Sequence, residues 1–274
     1  MNHLQNLHTH TVFCDGRDTP EEMVRFALEK GFDSLGFSGH SPTNYSPRYA
    51  QMEDKLKKLE DYKREVNRLK EAYKDRLAIY LGLEVDVYCG LDLSGYDYLI
   101  GSIHYLKKDG GFLGFDRDAQ TVQKLIDEHF EGDGMKFARR YYEELADIPR
   151  YGDFDIIGHF DIISKNLEAI PFFDENAKEY LDAAFEAMYA LRGKIPLFEV
   201  NTGAIARGYR TVPYPSVPLL KELGRLGFGA VISSECHDGR YLDCQFEEAR
   251  QLLAACGFKE RYVLTENGFA AVAL

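Results

Sequence analysis

Short apolar runs alternate with amphipathic stretches along the whole chain. Residues 4–7, 34–38, 77–83, 98–102, 155–158, 197–200 and 230–233 read as strands, and 262–265 as a further short one. A helix opens at Thr19-Pro20-Glu21-Glu22, with Thr as N-cap, Pro at the first helical position and Glu at the third. Residues 49–74 form a long helix. In it Met52, Leu56, Leu59, Tyr62, Val66, Leu69 and Tyr73 recur by threes and fours as a core-facing stripe, and Lys55, Lys57 and Lys58 make a solvated opposite face. Strands alternating with helices predict a mainly parallel sheet. Seven principal strands in unbroken succession predict a closed or nearly closed barrel. No repeat, low-complexity tract or long linker divides the chain, so one domain spanning residues 1–274 is expected.

In such barrels the chemistry gathers at the C-terminal ends of the strands. Of the eight histidines, His8 and His10 follow the first strand, His40 the second, His104 the fourth, His159 the fifth and His237 the seventh. Glu84 follows the third strand, Glu235 stands two residues before His237, and Asp15 lies in the loop leaving the first strand. Side chains at i and i+2 of an extended segment point the same way. His8-Thr9-His10 thus aims two imidazoles at one cation, and Glu235-Cys236-His237 does the same from across the barrel while turning Cys236 away. One His after a strand is more often structural; five strands delivering His, with carboxylates beside them, make a metal centre. Imidazole and carboxylate suit zinc, iron or manganese. The donors are too many for one ion, so two or three are implied, with Glu84 suited to be a shared ligand. His3 and His129 fall outside the pattern; His129, beside Glu128 and Glu131, reads as surface.

Composition narrows the substrate and the setting. With 45% hydrophobic and 28% charged residues the chain is an ordinary globular one. A net charge of −12 argues against nucleic-acid polymers, which are held by Lys and Arg, but leaves room for a small phosphorylated substrate met by local cations. Five cysteines without a CxxC pair fit reduced thiols. The opening MNHLQNLHTH has no apolar signal-like stretch, and no run approaches the ~18 apolar residues of a membrane span. A cytoplasmic protein with no membrane partner is expected.

The segments HTH with CDG (8–16), GFSGHS (36–41), GLEVD (82–86), GSIH (101–104), IIGHFD (156–161), EVNTGA (199–204) and SSECHD (233–238) resemble the PHP superfamily, the polymerase and histidinol phosphatase group. They run in family order over nearly the whole chain. Within it the length, the long helix before GLEVD and EVNTGA are most similar to the PHP-type histidinol-phosphate phosphatases. The resemblance implies a distorted (β/α)7 barrel with three divalent metal ions and hydrolysis of a phosphomonoester, L-histidinol phosphate. It implies a first ion on His8, His10, Glu84 and Glu235, a second on Glu84, His104 and His159, and a third on Asp15, His40 and His237. Glu235 stands where the family usually has Asp. Family members hold phosphate with arginines, which here implies Arg207 and Arg210, with Lys165 nearby. Asp161 and Asn201 are expected to orient ligands, and Asp161 or His237 to assist the leaving alkoxide. The alternative keeps the chemistry and changes the substrate to a nucleotide, phosphotyrosine or another small phosphomonoester. A catalytically inactive scaffold would need degenerate ligand positions, and the Glu235 exchange is the one departure.

Overall fold

The computed structural model describes residues 3–45 and 52–274. In chain order its strands are β1 (Gln5–Asn6), β2 (Ser34–Phe37), β3 (Ala78–Asp86), β4 (Tyr98–Ser102), β5 (Tyr105–Lys108), β6 (Gly111–Gly114), β7 (Ile156–Ile157), β8 (Leu197–Asn201), β9 (Gly229–Ser233), β10 (Glu260–Thr265) and β11 (Gly268–Ala273). Seven form one sheet in the order β1-β2-β3-β4-β7-β8-β9, every neighbouring pair parallel. The ring closes just past the strand ends. There Thr9 bridges Cys236, His10 N donates to Cys236 O at 2.8 Å, and Cys236 N donates to His8 O at 3.0 Å. The fold is therefore a (β/α)7 barrel, distorted because β1 and β7 are two residues each.

Inward positions climb from apolar to polar along each strand, as alternation requires. On β3 they read Tyr80, Gly82, Glu84; on β4 Tyr98, Ile100, Ser102; on β8 Leu197, Glu199, Asn201. Leu7, Tyr80, Tyr98, Ile100, Ile156, Leu197, Val231 and Leu264 pack together as a plug at the lower end. Tyr98 fills the middle so fully that a Cβ at Gly82 would sit 2.2 Å from its ring, and one at Gly36 2.4 Å from its hydroxyl. Glycine is what β2 and β3 can carry at that level.

The helix Pro20–Glu29 begins with the expected capping box between Thr19 and Glu22. The long helix is Met52–Tyr73; residues 49–51 of its expected span lie outside the described residues. Its stripe is narrower than expected. Tyr62, Val66 and Leu69 are buried, whereas Leu56 is 41% exposed, because the helix's first turns extend past the part of the barrel they would cover.

Two antiparallel hairpins interrupt the parallel pattern. β5 and β6 follow His104 directly, turning at Asp109 and Gly110, both with positive φ. The expected strand at 262–265 is real but outside the barrel: β10 pairs with β11. Gln5 donates from its side-chain amide to Leu264 O and accepts from Leu264 N. The hairpin so closes the barrel floor.

Candidate metal centre

The upper rim gathers the histidines around one buried carboxylate. Oε2 of Glu84 lies 3.3 Å from His8 Nε2, 3.6 Å from His10 Nε2 and 2.8 Å from His40 Nδ1; Oε1 lies 3.2 Å from His104 Nε2 and 2.9 Å from His159 Nε2. A second carboxylate, Asp15, stands 3.6 Å from His10 Nδ1, 3.5 Å from His40 Nε2 and 3.3 Å from His237 Nε2. The donor atoms fall into three mutually close groups among the described residues: His10, Asp15, His40 and His237; His8, His10 and Glu84; His40, Glu84 and His104.

These residues fit divalent metal ions. His8 Nε2, His10 Nε2 and Glu84 Oε2 are buried without a hydrogen-bond partner, a costly state unless something positive satisfies them. Ligands about 2.0–2.1 Å from a common ion lie roughly 2.8–3.4 Å apart at octahedral or tetrahedral edges, close to the spacings here. The donor set, imidazole nitrogen and carboxylate oxygen, is that of zinc, iron and manganese sites.

Electrostatics agrees with the geometry. Burial alone would raise the Glu84 carboxyl, but His40, His8 and His104 hold it well below the usual carboxylate range. Asp15 is likewise held far down by His40 and His237 against its burial. His10 is driven well below an ordinary imidazole by burial and by its neighbours His237 and His40; neutral, it keeps a lone pair free to ligate. The two carboxylates differ in access. Glu84 is fully buried, whereas Asp15, His40 and His237 have side chains 32%, 23% and 20% exposed. The Asp15 side is the mouth.

Supporting carboxylates fix ring orientation, as outer partners of ligating histidines do. Glu199 sits 2.8 Å from His8 Nδ1, accepts from His159 N at 2.5 Å, from Asn201 Nδ2 at 2.8 Å and from Ser233 Oγ at 2.6 Å. Asp86 lies 3.4 Å from His104 Nδ1 and accepts from Tyr45 Oη. Neither carboxylate was singled out from the sequence. Asp86 shares the inward parity of Glu84 on β3 and Glu199 that of Asn201 on β8, and that was the available signal. Asn201 does orient a neighbour, donating to Glu235 Oε2 at 3.0 Å.

The remaining predicted residues divide. Glu235 lies outside the three donor groups. Its Oε1 accepts from Arg207 Nη2 at 2.9 Å, and its backbone takes a left-handed φ of 43°, strain of the kind that collects at functional sites. Gly203 makes this possible, since a Cβ there would stand 2.8 Å from Glu235 Cβ. His237 Nδ1 donates to Glu235 O at 2.8 Å, turning Nε2 toward Asp15, and Cys236 points elsewhere, its Sγ donating to Asp238 O. Arg207 also comes within 3.3 Å of His237 Nδ1, at the mouth. Lys165 pairs with Asp116, a carboxylate close enough to feel the charges of His104 and Arg207. Arg210 is buried over the Tyr214 ring, donating to Ser164 O at 3.1 Å and to both oxygens of Glu175 at 3.2 Å. Asp161 faces the same outer layer. It accepts from Ser216 N at 3.1 Å, and burial pushes its carboxyl up to about 7 against the pull of Arg210. Its contacts do not include the rim histidines, because the turn after His159 carries it to the far side of the strand end.

Fold and site together define a β/α barrel with a multi-donor metal centre at its C-terminal rim. The PHP domain model matches residues 6–202, and the chain belongs to that family. Among its relatives, the Deinococcus radiodurans protein named "Probable histidinol-phosphatase" is 29% identical over 262 residues, covering 91% of this chain and 92% of its own. The histidinol-phosphatase of Bacillus subtilis is 27% identical over 251 residues, covering 84% and 92%. The crystal structure of a histidinol phosphate phosphatase from Lactococcus lactis subsp. lactis, complexed with zinc, L-histidinol and phosphate, superposes with a TM-score of 0.69 at 21% identity over 97% of this chain and 98% of that one. That likeness establishes the shared barrel.

Proposed function

We propose that this chain is a metal-dependent phosphomonoesterase that hydrolyses L-histidinol phosphate to L-histidinol and phosphate. The observation that carries the chemistry is the convergence of five imidazoles on the buried Glu84, open on the Asp15 side to a mouth bordered by Arg207. The relatives' shared activity supports the substrate. The family match ends at residue 202, yet β9, Glu235 and His237 complete the same rim, so the functional domain is assigned to residues 1–274.

Three divalent ions, zinc, iron or manganese, are assigned. His8, His10 and Glu84 would hold the first, with Glu235 at its edge; Glu84, His104 and His159 the second; Asp15, His40 and His237 the third. Such ions supply hydroxide at neutral pH and neutralise phosphoryl charge when bound. Glu199 and Asp86 fix the rings of His8 and His104. Arg207, held by Glu235, presents a planar fork that matches phosphate oxygens. His237 is assigned as a ligand, with Nδ1 bound to Glu235 O and Nε2 turned toward Asp15, and the position of Asp161 does not favour its assisting the leaving alkoxide. Lys165 lies near enough, through Asp116, to add positive potential; Arg210 is assigned to holding the outer layer.

Phosphate release from a panel of histidinol phosphate, mononucleotides, phosphotyrosine and sugar phosphates tests the substrate. Histidinol phosphate is expected to give a kcat/KM at least about tenfold above every other member, a difference of about 1.4 kcal/mol in transition-state binding. A faster mononucleotide or phosphotyrosine would reassign the substrate while leaving the chemistry in place.

A further inference from the structure

The barrel sheet is closed by the bridge between Thr9 and Cys236, but the floor hairpin has a free edge. β10 turns its outer backbone to the barrel, where the Gln5 side chain bonds both N and O of Leu264. At the other end Leu274 N donates to Lys259 O at 3.3 Å. These two observations fix the alternation of the ladder, whose register runs from Glu260↔Ala273 to Thr265↔Gly268. Gly268, Ala270 and Val272 bond to β10, and the N–H and C=O of Phe269, Ala271 and Ala273 point away from it. Among the described residues no other element bonds these outward groups.

Open edges are ordinarily guarded by Lys, Pro, a bulge or a covering element. β11 reads Gly-Phe-Ala-Ala-Val-Ala and pairs without a bulge, and Ala271 and Ala273 are exposed. Phe269 is partly buried at the border of the apolar plug. The strand is complementary to itself. Its outward positions are centred on Ala271, so an antiparallel copy related by a two-fold sets Ala271 against Ala271 and Phe269 against Ala273, large against small. All the outward groups are then bonded. The strand carries no charge, so the −12 of each chain sets no like charges against each other across the pair. The ends attract. At the open end of each hairpin Lys221 and Lys259, neither of them in an ion pair among the described residues, share a cavity with Glu260 and with Arg225, which Glu222 pairs. That is a local excess of one positive charge, and the two-fold brings the other copy's hairpin turn, with Glu266, toward it.

We infer that this edge is the interface for a second copy of this chain, the two β11 strands pairing antiparallel into one four-stranded sheet. Both metal centres stay open, because the hairpin lies at the opposite end of the barrel from the rim.

Sedimentation velocity of the metal-loaded protein over roughly 1–100 µM, where an interface of small area dissociates, tests the pairing. The parent should pass from monomer to dimer across that range. Ala271→Pro removes an outward N–H while leaving the bonds to β10. By symmetry it deletes two bonds of the pair, so association should weaken about ten- to a hundredfold. Should Ala271→Pro fail to fold by circular dichroism, Ala271→Lys, which guards the edge with charge, takes its place with the same expectation. Ala271→Cys sets two thiols across the two-fold, where opposed Cα atoms stand about 5.5 Å apart, within disulfide reach. Mild oxidation should then give covalent dimer in excess of the parent's. A parent that stays monomeric throughout, a dimer indifferent to the substitution that folds, or an Ala271→Cys protein that does not crosslink beyond the parent would overturn the inference.

Discussion

The two ends of the barrel are made by the same strands and are chemically opposite. On β3 the inward side chain is Tyr80 at the floor and Glu84 at the rim; on β8 it is Leu197 at the floor and Glu199 or Asn201 above. The floor is a packed apolar plug sealed by a hairpin. The rim buries carboxylates and imidazoles with several polar atoms unsatisfied. The contrast teaches a division of labour. Dispersion and burial at the floor hold the strands in register, and that rigidity lets the rim keep donors converged at a cost the rim could not bear alone. Strain and unpaired polarity are tolerated where they serve chemistry.

That comparison can be broken from either end. The largest effect should come from the rim: Glu84→Gln keeps size but removes the charge that five imidazoles face. Turnover should be abolished and metal content lowered, while the circular dichroism of the fold persists. Near-normal turnover would mean that Glu84 is not the shared ligand.

Gly82→Ala should do the reverse, since its Cβ would meet the Tyr98 ring at 2.2 Å. A loss of about 3 kcal/mol is expected, the upper end of overpacking costs, read as a lower denaturant midpoint. A stability unchanged within error would show that the floor is not the tight plug described.

The arginines sharpen the boundary. Arg207→Ala should lower kcat/KM by about one to two powers of ten, the worth of a charge-assisted contact of roughly 1.5–3 kcal/mol, with metals still bound. Arg207→Lys should lose less. Arg210→Ala should instead lower stability by about 1.5–3 kcal/mol through its lost bonds to Ser164 and Glu175, leaving the kinetics of the folded enzyme close to the parent's. The opposite pattern would exchange the two roles.

The residues themselves explain what could be read from the sequence. Seven strand positions and the rim donors were legible because both follow a period of two and sit where strands end. The capping box at Thr19 was legible because it is local chemistry. Spacing alone could not part Arg207 from Arg210, because Gly208, with φ 74°, turns the chain between them, and sequence does not show which way a loop turns. The same limit hid the course of Asp161 after the short β7. The β5–β6 hairpin did announce itself in Asp109-Gly110, a turn pair that favours positive φ. Its signal was masked by the expectation of helices between strands. Leu56 joined the helical stripe by periodicity alone, which fixes a face but not how far the partner surface extends.

The central claim is that the rim is a multinuclear metal centre, and metal content measured together with turnover tests it most directly. Protein purified without chelator should carry between two and three equivalents of zinc, iron or manganese. Its histidinol phosphate hydrolysis should fall with chelation and return when divalent ions are restored. Folded protein that is fully active with one equivalent or none would contradict the account.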